Sequence, residues 1–223
     1  MISLMQLLKE AQGSPKAIIL AGAPGAGKGF ILRGLDLGGL KVLNVDNIFI
    51  EKLKQANVTL DLKNATPEER SEQAKQMAAS NKEFKGKLQD IIDGKQSFIL
   101  DGTAASIKTT TQLQSELKAA GYDVFMLYVY TDLERSLMQN QDRFEKSGGK
   151  DRSLAPAIVM RTWNGITQNY DLYKNEFGNN FVSVVNDKAL KKGESQKSLE
   201  DLLDKYVTPY KPTDTKPKTD KQQ

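Results

Sequence analysis

Ile18-Ile19-Leu20-Ala21-Gly22-Ala23-Pro24-Gly25-Ala26-Gly27-Lys28-Gly29 decides how this chain is read. A short apolar block leads into a glycine-rich turn that ends on a lysine. That order builds a buried strand, a loop and a helix N-terminus. Gly22, Gly25 and Gly27 let the backbone wrap so that successive N–H groups point inward. Such a nest, backed by the positive end of a helix, binds anions. Lys28 adds a mobile point charge for the outer phosphates of a nucleotide. The pattern Gly-x-x-x-x-Gly-Lys-[Ser/Thr] is met at Gly22, Gly27 and Lys28, and its last place is held by Gly29. A bare strand-to-helix turn is the plain alternative. The strand before it and the lysine within it favour phosphate binding.

Outward from this loop, strand-like and helix-like stretches alternate. Lys16–Ala21, Lys41–Val45, Gln96–Leu100, Asp123–Tyr130 and Phe181–Val185 read as strands. Helices are expected from Lys28 to Leu35, from Asn47 to Ala56 and from Thr66 to Asp93. Further helices are expected from Lys108 to Ala120, from Thr131 to Phe144, from Pro156 to Glu176 and from Ser195 to Tyr206. Thr66-Pro67-Glu68-Glu69 is a capping box with proline at the first helical position. Thr131-Asp132-Leu133-Glu134 reads as a second one. Met77, Phe84, Leu88, Ile91 and Ile92 form a stripe at helical spacing, with a break expected near Ser80-Asn81. Leu133, Leu137 and Phe144 are expected to face inward. Such alternation predicts an α/β fold, a parallel sheet with helices on both faces.

Composition narrows the chemistry. The 223 residues fit one large domain, 39% hydrophobic and 27% charged. There is no cysteine and no histidine. Disulfides, thiolate or imidazole metal sites, and Ser–His or Cys–His catalysis are therefore excluded. Acid–base work falls to Asp, Glu, Lys or Tyr. No apolar run approaches the roughly 20 residues that span a bilayer. The first eleven residues read as a short amphipathic helix, with Leu4, Leu8 and Ala11 on one face, and not as a secretion signal. A cytoplasmic setting is expected. Net charge is +4; a tail (208–223) carries a surplus of +2, from Lys211, Lys216, Lys218 and Lys221 against Asp214 and Asp220, and its Pro, Thr, Lys and Gln content predicts disorder. The balance is a weak argument for a nucleic-acid partner.

Gly22-Ala23-Pro24-Gly25-Ala26-Gly27-Lys28-Gly29 resembles the P-loop of adenylate kinases, which also place Gly after the lysine. That family then usually has Thr, where this chain has Phe30. The missing hydroxyl argues against a GTPase-like magnesium site. By this resemblance Gly22, Ala23, Pro24, Gly25, Ala26, Gly27, Lys28, Gly29 and Phe30 would contact ATP. Val45-Asp46-Asn47-Ile48-Phe49 resembles the acidic motif of the zeta-toxin and polynucleotide-kinase group, whose aspartate serves the acceptor hydroxyl. Leu100-Asp101-Gly102 resembles the Asp-Gly of adenylate kinases, so Asp101 would hold Mg²⁺ through water. Adenylate kinases continue with Phe-Pro-Arg, whose arginine grips the nucleoside monophosphate. Thr103-Ala104-Ala105 stands here instead, which speaks against AMP as acceptor.

The resemblance implies a P-loop kinase-like domain over residues 1–207 with the five strands in the order 2-3-1-4-5. It also implies a helical acceptor-side insert (57–95) and a small lid (146–154). Gly148 and Gly149 would hinge that lid. Lys28, Asp46, Arg143 and Arg152 are the catalytic candidates; Arg161, on the helix after the lid, belongs to the same set of arginines, and Arg135 is a weaker one. Asn186-Asp187-Lys188-Ala189 would back the adenine ring. The expected activity moves the γ-phosphoryl group of ATP, with Mg²⁺, to a hydroxyl of a small molecule, nucleotide sugar or polynucleotide end. A nucleoside monophosphate kinase, or an ATP-binding module without transfer, are the alternatives.

Overall fold

A computed structural model describes residues 13–34 and 40–186. The expected helices at residues 4–11 and 195–206, the tail, and Asp187 to Ala189 lie outside the described residues. Five strands form one parallel sheet: β1 (Lys16–Ala21), β2 (Lys41–Leu43), β3 (Phe98–Asp101), β4 (Asp123–Tyr130) and β5 (Phe181–Val185). Their order is β2-β3-β1-β4-β5, the order expected. Register is continuous across the centre, with Ile19 opposite Leu100 on one side and opposite Met126 on the other.

Side chains alternate across the sheet, as strand geometry requires. Ala17, Ile19, Phe98, Leu100, Val124, Met126 and Tyr128 face one core. They meet Leu117 of α4 (Ile107–Ala119), Trp163 and Ile166 of α6 (Pro156–Gln168), and Tyr170, Tyr173 and Phe177 of α7 (Tyr170–Phe177). Ile18, Leu20, Ile99, Phe125, Leu127 and Val129 face the other, under Ile31 of α1 (Lys28–Gly34). Apolar residues cover both faces of β1 and β4, so those strands read as near-continuous hydrophobic runs.

The remaining helices are α2 (Val45–Gln55), α3 (Pro67–Asp93) and α5 (Leu133–Lys146). The capping box at Thr66 and Glu69 forms in both directions, at 3.2 and 2.8 Å. The expected break near Ser80 does not occur. Ser80 Oγ donates to Gln76 O at 2.7 Å, so its polar group is satisfied within the helix and α3 runs for 27 residues. Of the expected stripe only Ile91 is fully buried; Phe84, Leu88 and Ile92 pack half-buried against the core. The helix expected from Pro156 to Glu176 divides at Asn169, whose side chain donates to Ala105 O instead of continuing the helix face.

Two helix starts differ from the expected ones. β2 stops at Leu43, and Asn44 caps α2 by accepting from Asp46 N at 2.7 Å and Asn47 N at 3.3 Å. Asp46 therefore sits inside the first turn. The cap of α5 is Asp132, which accepts from Arg135 N at 2.7 Å; Thr131 turns away and donates to Asn186 O. On α5 the fully buried side chains are the polar Ser136 and Asn140, while Leu133, Leu137 and Phe144 are half-buried.

Candidate active site

The glycine-rich loop lies at the carboxyl end of β1, where ligands of open α/β sheets collect. Gly25 and Gly27 take φ of +82° and +85°. Side chains rarely adopt this conformation, and space forbids them too. A Cβ on Gly25 would lie 2.5 Å from the Ser136 carbonyl oxygen, and one on Gly27 would lie 2.0 Å from Asn186 Nδ2. The loop is thus held from outside. Ser136 Oγ donates to Pro24 O at 2.5 Å, Asn186 Nδ2 to Ala26 O at 2.9 Å, and Gly22 N to Thr103 O at 3.2 Å. Among the described residues no backbone carbonyl accepts from the amides of Gly25, Gly27, Lys28 and Gly29. Those donors suit an anion such as the phosphates of ATP.

Lys28 Nζ donates to Gly22 O at 2.7 Å and Ala23 O at 3.3 Å. Burial pushes its ammonium below the ordinary lysine range, and the charges of Asp101 and Asp46 oppose that shift. Arg143 and Arg152 add to the lowering. Five of the sequence candidates therefore share one electrostatic neighbourhood. Phe30 packs half-buried against the core cluster of Ile18 and Leu20. Its place in the first turn of α1 is an apolar wall, not an oxygen ligand.

Asp46 and Asp101 stand at the ends of neighbouring strand connections. Asp101 Oδ2 accepts from Asn44 Nδ2 at 2.7 Å, which ties the end of β3 to the cap of α2. Neither aspartate is a helix cap: Asn44 caps α2 and Ser106 caps α4. The connection after β3 is fastened by Tyr173 Oη, which donates to Ala104 O at 2.6 Å. Ala104 there holds φ of +51°. No group of three or more acidic side chains converges among the described residues. One carboxylate beside a phosphate cradle fits Mg²⁺, which commonly keeps its waters and binds through one or two carboxylates plus phosphates.

Arg152 pairs with Asp46 through Nη2 and Oδ2. Its side chain is only 12% exposed, and burial lowers its pKa against the opposing pull of Asp46. Arg143 Nε contacts Asp151 Oδ2 at 3.0 Å. These groups line a cleft of about 490 Å³ with Asn44, Asn47, Glu51, Lys54 and Lys150. Arg161 is exposed and outside that lining, and Arg135 reaches Asn186 O at 3.4 Å instead.

Asn44 and Ser136 were not among the sequence candidates; Asn186 was, as part of the backing for the adenine ring, and its side chain instead holds the glycine loop at Ala26 O. For Asn44 a signal existed, since Asn is a favoured cap directly after a strand. Ser136 and Asn186 act through long-range contacts that no local pattern announces.

The sheet order, the cradle at the end of β1 and the lysine at its rim define a P-loop kinase-like fold. The chain belongs to the zeta toxin family, whose model matches residues 4–197. No curated protein gives a significant sequence match. Among solved structures it is similar to a chain of the PezAT chromosomal toxin–antitoxin system of Streptococcus pneumoniae. That match has 19% identity and a TM-score of 0.53, covering 90% of this chain and 80% of the other. It is also similar to a chain of AvrRxo1-ORF1:-ORF2 with ATP, at 17% identity and a TM-score of 0.57. There the match covers 82% of this chain and 57% of the other. At such identities the likeness concerns the fold.

Proposed function

We propose that this chain transfers the γ-phosphoryl group of ATP to a hydroxyl of a small molecule, nucleotide sugar or polynucleotide end. The observation that carries the reading is the glycine loop at the carboxyl end of β1 with Lys28 at its rim, together with Asp101 at the end of β3, tied to the cap of α2, and Asp46 in the first turn of that helix, paired with Arg152. Phosphoryl transfer needs little covalent help from a protein and much positioning and charge.

In this reading the loop amides and Lys28 hold the β- and γ-phosphates. Asp101 would hold Mg²⁺ through water, and the ion would supply charge neutralisation on the phosphate oxygens. Asp46 accepts the proton of the acceptor hydroxyl as its oxygen bonds to the γ-phosphorus and the bond to the β–γ bridging oxygen breaks. Arg152 leaves Asp46 for the phosphoryl oxygens as the acceptor arrives, and Arg143 adds charge beside it. Nothing in Thr103-Ala104-Ala105 supplies the arginine that nucleoside monophosphate kinases place there, so a nucleoside monophosphate is the weaker acceptor.

One observation favours a second reading. The Arg152–Asp46 pair occupies the carboxylate that an acceptor would need. An ATP-binding module without transfer would keep it so. Replacing Lys28 by Ala distinguishes nucleotide chemistry from fold. ATP turnover in the purified Lys28→Ala variant is expected to vanish while its circular dichroism remains that of the parent. Unchanged turnover would sink the transfer reading.

A further inference from the structure

The segment that follows α5 carries Arg152, and it is fastened at successive residues. Asp151 N donates to Ser147 Oγ at 3.0 Å. Ser153 N donates to Leu60 O at 3.1 Å, and Ser153 Oγ to Asp61 Oδ1 at 2.5 Å. Lys63 N donates back to Ser153 Oγ at 3.2 Å. Leu154 O accepts from Asn140 Nδ2 at 3.1 Å. Asp61 and Ser153 also form an isolated parallel bridge. Both Ser153 and Leu154 are buried. The loop that enters α3 therefore grips the strap one residue beyond the arginine that meets Asp46.

Asp61 is itself prepared for this contact. Its Oδ2 accepts from Asn64 Nδ2 at 2.8 Å and its Oδ1 from Asn64 N at 3.3 Å. The carboxylate is thereby aimed at the strap by its own loop. Gln73 of α3 braces the same loop by donating to Thr59 O at 3.4 Å. None of these groups touches the cradle or lines the cleft of Asp46.

We propose that Asp61 is a positioning residue: through Ser153 it fixes the strap that places Arg152 on Asp46. The loop ahead of α3 and the arginine strap then form one mechanical unit. Movement of the loop ahead of α3 is transmitted to the Asp46 carboxylate through the strap, in addition to the direct packing of α3 on α2. The kinetic part of this inference rests on the phosphotransfer reading; the structural part does not.

Two measurements on the full chain test it. The first is amide hydrogen exchange. Asp61→Ala and Ser153→Ala should each speed exchange at residues 151–155 by about tenfold or more, because strap opening no longer breaks the clamp. The amides of β1 and β4 should stay as slow as in the parent. Asp61→Asn keeps an acceptor for Ser153 and should restore slow exchange. The second measurement follows release of labelled phosphate from γ-labelled ATP with Mg²⁺. Asp61→Ala should lower that rate by about tenfold to a hundredfold, the cost of a misplaced charge. On an Arg152→Ala background the same substitution should change nothing further. Unchanged exchange at 151–155 would overturn the clamp. An equal loss of turnover in both backgrounds would overturn the positioning role, since general destabilisation adds where positioning through Arg152 cannot. A parent protein that neither releases phosphate nor labels any hydroxyl acceptor would refute the phosphotransfer reading alone, and the exchange result would still decide the clamp.

Discussion

Ser136 shows what a single residue contributes here. It lies on a helix whose apolar stripe is only half-buried, and its hydroxyl reaches Pro24 O of the loop at 2.5 Å. Replacing it with Ala leaves a buried carbonyl without its donor, a loss of about 1–3 kcal/mol. Denaturant unfolding of Ser136→Ala should show a lower midpoint with an unchanged slope. ATP affinity should fall with it, because the loop loses one of its outer supports. A midpoint equal to the parent's would mean that Pro24 O finds another donor. Gly25 and Gly27 belong to the same account: their positive φ was legible from the glycine spacing, whereas the groups crowding them from α5 and from Asn186 were not.

At the scale of elements, α3 joins α2 through charge as well as packing. Lys52 of α2 lies 2.8 Å from Glu83, and Lys87 lies 2.7 Å from the same carboxylate. Hydrogen bonds from Lys52 and Lys87 bring the pKa of Glu83 down to about 2 from its ordinary 4.5. A carboxylate whose pKa is depressed in the folded state stabilises above its unfolded pKa and loses that contribution as pH falls through the folded one. The window runs from about 4.5 down to about 2. Glu83→Gln should therefore melt lower than the parent at pH 7, and the two should converge as pH approaches 2. The Glu83 side chain is 37% exposed, so added salt should shrink the difference at pH 7. A gap that persists at low pH and high salt would assign the effect to packing.

The same scale explains which elements the sequence disclosed. Strands with apolar residues on both faces, and the helix start at Thr66, are written in local patterns, and they stand where expected. The break expected at Ser80 rested on a polar residue in mid-helix, and a side-chain bond to the preceding turn removes that objection. The long helix after Pro156 divides because Asn169 finds its partner 64 residues away at Ala105. On α5 the periodicity of leucines pointed inward, yet the glycine loop takes the Ser136 hydroxyl and the strap takes the Asn140 amide, and these two polar side chains hold the buried positions.

Over the whole molecule, the order of strands brings three separate stretches of sequence to one edge. β1, β2 and β3 deliver Lys28, Asp46 and Asp101 there, and the strap after α5 delivers Arg152. The glycine loop and both aspartates were visible as motifs because each follows a strand. The Arg152–Asp46 pair was not, because 106 residues separate its partners and no pattern links them. Within the described residues no helix is long and apolar enough to cross a membrane. The central claim is that phosphate moves from the loop toward the hydroxyl that Asp46 serves. Labelled γ-phosphoryl transfer from ATP to a pooled library of hydroxyl acceptors tests it most directly, with Asp46→Asn alongside. The account predicts a labelled acceptor with the parent protein, and loss of that label with Asp46→Asn while ATP binding persists. Tight ATP binding with no acceptor labelled, or equal labelling by parent and variant, would contradict it.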